Sequence, residues 1–215
     1  MPDRGTPFFL SYARAGDGSA QPGTAKASDE LAERLYYDLR ENVGQLIALP
    51  TGSDYGFMDI GMRGGTDWPR EIMRALGTCQ VFVALLSVPY LSRDWCGREW
   101  YAFSQRSTMR LPGGRSSSHQ GCIIPVRWAP LQAPLPPLIS DDMFFAPASA
   151  PERDLPELYR QDGLFGLLRM GREDYYQIAV WQLAKLIAHV YHTLHLDHRS
   201  FAPEDLKNIF GEPSP

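Results

Sequence analysis

No apolar stretch in this chain is long enough to cross a bilayer. The longest, Val81 to Leu91, is interrupted by Ser87 and Pro89, and a spanning helix needs about 20 predominantly apolar residues. The amino terminus, Met1 to Pro7, lacks the hydrophobic region of a secretory signal, so a cytoplasmic protein without membrane contact is expected. Cysteine is scarce: Cys79, Cys96 and Cys122 are the only three in 215 residues and form no C-x-x-C pair. That argues against both a disulfide framework and a cysteine-rich zinc site. Positive charge is not in excess either, with 21 Lys+Arg against 25 Asp+Glu and a net charge of -4, so no nucleic-acid partner is expected. There is no internal repeat, and G-x-x-x-x-G-K-[ST], G-x-G-x-x-G after the first strand, H-E-x-x-H and G-x-S-x-G are all absent. These absences count against solenoids, nucleotide kinases, standard dehydrogenases, zincins and α/β-hydrolases.

What is present is enough apolar side chain for a core, 44% of residues with 12% aromatic, distributed as alternating strands and helices. Pro7 to Tyr12 reads as a strand buried on both faces. A Gly/Ser/Pro loop over Ala13 to Ala27 leads to a helix capped by Ser28, with Leu31, Leu35, Leu39 and Val43 as its apolar stripe. A second strand falls within Leu46 to Met58 and ends at Gly56-Phe57-Met58; the glycine-rich loop from Ile60 to Asp67 then leads to a helix opened by Pro69. Gln80 to Ser87 has the unbroken β-branched and apolar pattern of a central parallel strand, and a helix follows from Trp95 to about Arg106. Another strand is expected over Cys122 to Trp128. Nine of the 18 prolines lie between Leu111 and Leu158, so that stretch reads as loop around one short strand, Met143-Phe144-Phe145. A long helix from Glu173 to Leu194 closes the pattern, leaving residues 7–195 as one domain and 196–215 as a polar, loosely ordered tail.

Such alternation implies a doubly wound α/β fold of the flavodoxin-like type, with about five parallel strands and helices on both faces. Ligands bind such sheets beyond the carboxyl ends of the strands, here the Tyr12–Ala27, Asp59–Asp67 and Ser87–Asp94 loops, which are expected to converge. His189, His192, His195 and His198 recur every three residues. On a helix that spacing rotates each one about 60° from the last, so they share no ligand face and no metal site is expected.

One set of residues carries a resemblance: Phe9-Leu10-Ser11-Tyr12-Ala13-Arg14, Phe57-Met58-Asp59 with Gly64-Gly65 and Trp68, and the run Ser87-x-x-Tyr90-x-Ser92-x-x-Trp95-Cys96-x-x-Glu99-Trp100. Together they resemble a TIR (Toll/interleukin-1 receptor) domain of bacterial type. The closest flavour is the TIR-like protein found with actinobacterial FxSxx peptide-modification clusters. The resemblance covers Pro7 to Arg106 well and the later elements more loosely. Many TIR domains cleave NAD+ at the nicotinamide–ribose bond, and the resemblance places the catalytic glutamate on Glu99. It implies NAD+ as a substrate rather than a cofactor, and a mobile 60–67 loop that contacts another TIR domain or a second copy of the chain. Other TIR domains are non-catalytic adaptors that act through assembly alone, and both classes remain open at this point.

The residues themselves are compatible with the enzymatic reading. Cleaving an N-glycosidic bond builds positive charge on the ribose, which a carboxylate beside the anomeric carbon stabilises. With Cys96, Trp100 and Phe103 taken as the buried stripe, Glu99 and Trp95 stand together at its border. Trp95 can stack on nicotinamide and raise the glutamate pKa, or pack on a neighbour. Ser87 can bond a ribose hydroxyl or cap the turn after its strand. Asp59 can orient its loop or touch ligand, Arg14 can pair with a pyrophosphate or sit solvated, and Tyr12 can line the pocket or belong to the core.

Overall fold

The computed structural model describes residues 4–14, 22–60, 68–110, 119–131 and 135–211. Four parallel strands form the main sheet: β1 (Phe8–Ser11), β2 (Gly56–Met58), β3 (Val81–Leu86) and β5 (Ile123–Arg127), in the order β2-β1-β3-β5. In register, Phe9 sits opposite Phe57 on one side and Phe82 on the other, and both ring pairs are stacked. All four residues of β1 and all six of β3 are buried, as their unbroken apolar sequences predict for strands covered on both faces.

Side chains along a strand point alternately to opposite faces, and the ring contacts show which helices cover each face. Phe8 meets Tyr36 of α1 (Pro22–Gly44). Phe82, on the same face as Phe9, meets Trp100 and Phe103 of α4 (Asp94–Ser104). The helix α2 (Trp68–Thr78) packs beside α4. On the α1 side lie α5 (Leu155–Arg169) and α6 (Glu173–Thr193), which pack on α1 and on each other. The sheet is therefore sandwiched, with β3 inside it and α6 along one face, as the sequence implies.

Several details differ from the sequence reading. Helix α1 begins at Pro22, so Ser28 lies within it rather than capping it. The Ser87–Asp94 turn contains a short helix, α3 (Val88–Ser92). Met143-Phe144-Phe145 is not a strand: Asp141–Met143 is a 3-10 turn, and only the Phe145 N–H reaches the sheet, donating to the Pro125 carbonyl at 2.8 Å. The N–H groups of Met143 and Phe144 are engaged within the turn, donating to the Ser140 and Asp141 carbonyls, which leaves them out of any ladder. Helix α6 ends at Thr193 with Leu194 as its C-cap, within a residue of the expected limit, and Leu194 also starts β6 (Leu194–Leu196), which pairs antiparallel with β4 (Thr108–Arg110). Residues 197–211 then cross back over α2 and α4, with Leu206 buried and the Phe210 ring packed on Tyr90 and Trp100.

Candidate functional site

A doubly wound sheet opens a crevice where its strand order reverses. Here β1 is followed by β2 on one side and β3 on the other, and the crevice lies past the carboxyl end of β1. A cavity of about 330 Å³ occupies this place, lined by Ser11, Tyr12, Arg14, Asp59, Trp95 and Glu99 among others. The first and second loops thus converge with the start of α4, as expected. Of the residues singled out in sequence, Glu99, Tyr12, Arg14, Asp59 and Trp95 are brought together. Ser87 is not among the lining residues: its hydroxyl caps α3, accepting from the Tyr90 N–H at 3.2 Å.

Strand periodicity explains how Ser11 reaches Glu99. Two residues beyond Phe9, Ser11 points to the α4 face of the sheet. On α4 the buried positions Cys96, Glu99, Trp100 and Phe103 recur at helical spacing, so Glu99 lies within the buried stripe and not at its border. It is 5% exposed. The small Ser11 side chain leaves room for a carboxylate where a larger apolar residue would fill the layer.

The resulting network is short and directional. Ser11 Oγ donates to Glu99 Oε2 at 2.5 Å, and the Tyr90 hydroxyl lies 2.9 Å from the same Oγ. A serine hydroxyl has one hydrogen. With that hydrogen on Glu99, Tyr90 must donate to Ser11, giving a buried chain Tyr90→Ser11→Glu99. Burial pushes the Glu99 carboxyl up to about 8; the nearby Asp59 charge acts in the same direction, while hydrogen bonds from Ser11 and Trp95 and the charge of Arg14 oppose it. Burial likewise pushes the Tyr12 hydroxyl up to about 12. Tyr90 is pushed well above its ordinary value for the same reason and remains a proton donor.

The rim of the cavity is held by charge. Arg14 pairs with the Asp59 carboxylate at 3.1 Å and bonds its backbone carbonyl, which ties the first loop to the second. Arg14 also bonds Tyr12. Among the described residues no group of His, Cys, Asp or Glu gathers that could hold a metal ion.

Sequence reasoning did not assign Ser11 or Tyr90 to the site. The available signal was a polar residue closing an apolar strand that reads as buried on both faces, since such a group requires a partner.

A buried carboxylate at the switch point of a parallel sheet is joined by a family match: the model described as TIR domain covers residues 8–158. The chain belongs to the TIR domain family. No curated protein and no solved structure matches it. In this TIR domain the matched span includes β1 to β5 and every residue of the cavity. No described helix is long and apolar enough to cross a membrane. Most of the 60–67 loop, through which the family resemblance implies contact with another TIR domain, lies outside the described residues.

Proposed function

We propose that this TIR domain is an NAD+ glycohydrolase that uses Glu99 to cleave the nicotinamide–ribose bond. The observation that carries the reading is the placement of one carboxylate, buried and hydrogen-bonded, at the wall of a cavity of ligand size. A surface that only docks other proteins has no use for such a group, which burial works against. The cavity suits the nicotinamide ring and its ribose, with Trp95 and Tyr12 as apolar walls and Arg14 with Asp59 at the mouth.

The raised pKa gives the substrate a part in activating the site. Burial favours the protonated form of Glu99. The positively charged nicotinamide ring favours the ionised form as it enters, since an opposite charge nearby lowers a carboxyl pKa. The proton leaves to solvent, and Tyr90→Ser11→Glu99 is the hydrogen-bond polarity that fits the carboxylate. As the C1′–N bond breaks, its electron pair goes to the nicotinamide nitrogen, and the positive charge passes to the ribose beside the Glu99 carboxylate. Water then captures C1′ and releases a proton to solvent to give ADP-ribose, or a nitrogen of the adenine captures C1′ to give a cyclic isomer. Self-association through the 60–67 loop completes the assembly, and the setting is a bacterial cytoplasm of the kind that holds FxSxx peptide-modification clusters.

The test is release of nicotinamide from NAD+ by the purified chain, followed chromatographically at high protein concentration and with a crowding agent. Release of nicotinamide that rises faster than linearly with protein concentration is expected. A well-folded, self-associated protein that releases none would contradict the reading and leave assembly alone as the function.

A further inference from the structure

A second cavity, of about 440 Å³, lies along α2 and shares no lining residue with the first. Four basic side chains line it: Arg70 and Arg74 from α2, and His198 and Arg199 from the segment after β6. Among the described residues no carboxylate does. Arg70 and Arg74 are four apart on one helix, so they are neighbours on the same face, where like charges repel. Arg199 adds a third guanidinium from a distant part of the chain.

Its position is fixed by close packing. The Arg199 N–H donates to the Gly77 carbonyl at 3.0 Å, its Nη1 donates to the Gln105 carbonyl at 2.5 Å, and its guanidinium lies 5.5 Å from the Phe201 ring centre. Gly77 is required for this approach, because a Cβ there would lie 2.1 Å from the Arg199 carbonyl oxygen. Beneath the segment, the buried Arg106 donates to the carbonyls of Asp197, Leu76 and Cys79. Leu76 lies in the last turn of α2 and Cys79 immediately follows the helix, where unbonded carbonyls would otherwise repel an anion. Met73 and Phe201 supply apolar wall beside the cations.

We propose that this cavity binds a small organic phosphate. Arg70, Arg74 and Arg199 hold the phosphate, and Met73 and Phe201 receive the apolar body. The planar guanidinium fork matches phosphate oxygens two at a time, and the cavity volume lies within the range of small-molecule sites. Residues 198–203 lie beyond the 8–158 family match, so half of the cavity belongs to this chain rather than to the shared domain. The proposal does not depend on NAD+ cleavage.

Calorimetric titration of the full chain at low salt, with adenosine diphosphate and with inorganic pyrophosphate, tests it. Both probes are expected to bind, the diphosphate more tightly, and both more weakly as salt rises. In an Arg14→Ala background, which keeps the probes' phosphates off the first cavity, Arg70→Ala/Arg74→Ala is expected to weaken both at least about tenfold and Phe201→Ala to weaken the diphosphate alone. Binding of neither probe, or binding unchanged in the α2 double variant, overturns the proposal. Equal competition by poly-glutamate also overturns it, since it identifies the face as a dock for an acidic protein segment.

Discussion

Burial pushes the Glu99 carboxyl up to about 8, and the sign of that shift sets two pH dependences. An unfolded glutamate titrates near about 4.3, so between there and about 8 the folded chain holds a proton that the unfolded chain has lost. The stability this contributes is complete below the unfolded value and is lost as pH rises through the folded one. Glu99→Gln removes the titration. Chemical denaturation is therefore expected to show the variant more stable than wild type at about pH 9, by a few kcal/mol, with the difference shrinking towards about pH 4. Parallel pH curves for the two proteins would count against a buried, protonated Glu99. The second dependence concerns activity. If ionised Glu99 is the competent form, kcat/KM for nicotinamide release should climb with pH and level off above about 8. Tyr90→Phe takes away the donor to Ser11 and should move that rise to higher pH by up to about one unit, the equivalent of a hydrogen bond of about 1 kcal/mol. A variant with a reduced rate but an unmoved profile would assign Tyr90 to packing alone.

At the scale of elements, helix α5 shows what the sequence conceals. Its span, Leu155–Arg169, contains Gly163 with φ 66° and ψ -178°, so the helical stripe breaks in the middle and no single 3.6-residue period runs through it. The break brings Phe165 back to the sheet side, where its N–H donates to the Trp128 carbonyl at 2.8 Å. Gly163→Ala would combine a left-handed backbone with a Cβ 2.5 Å from that same oxygen. A loss of about 2 kcal/mol or more is expected, lowering Tm by roughly 4 to 8 °C; an unchanged Tm would refute the packing described for this turn. The strands were legible for the opposite reason. β1 and β3 are continuous apolar runs with one register. Glu99 is singled out through the TIR resemblance of its motif, whereas helical spacing puts it at the border of the α4 stripe and the fold places it within. The β4–β6 pairing and the Ser11–Tyr90–Glu99 chain were not legible, because each joins residues 79 or more positions apart and no local periodicity encodes such a meeting. Ser87 read equally as ligand contact or cap, and only the fold separates the two.

For the whole molecule, the sheet places Ser11 and Glu99 at one end of β1, while the residues after β6 build a separate basic cavity along α2. A net charge of -4 opposes self-association only weakly. If a second copy completes the first site, nicotinamide release per mole of protein should increase with concentration across a dilution series; a flat specific activity in a protein that sedimentation shows to be monomeric would exclude a shared site. The most direct test of the central claim compares nicotinamide release from NAD+ by wild type and Glu99→Gln at high concentration, with matching circular dichroism spectra. Glutamine keeps the size and the hydrogen-bonding reach but cannot carry the charge, so a loss on the order of 100- to 1000-fold is expected. Equal rates from two folded proteins would contradict the account.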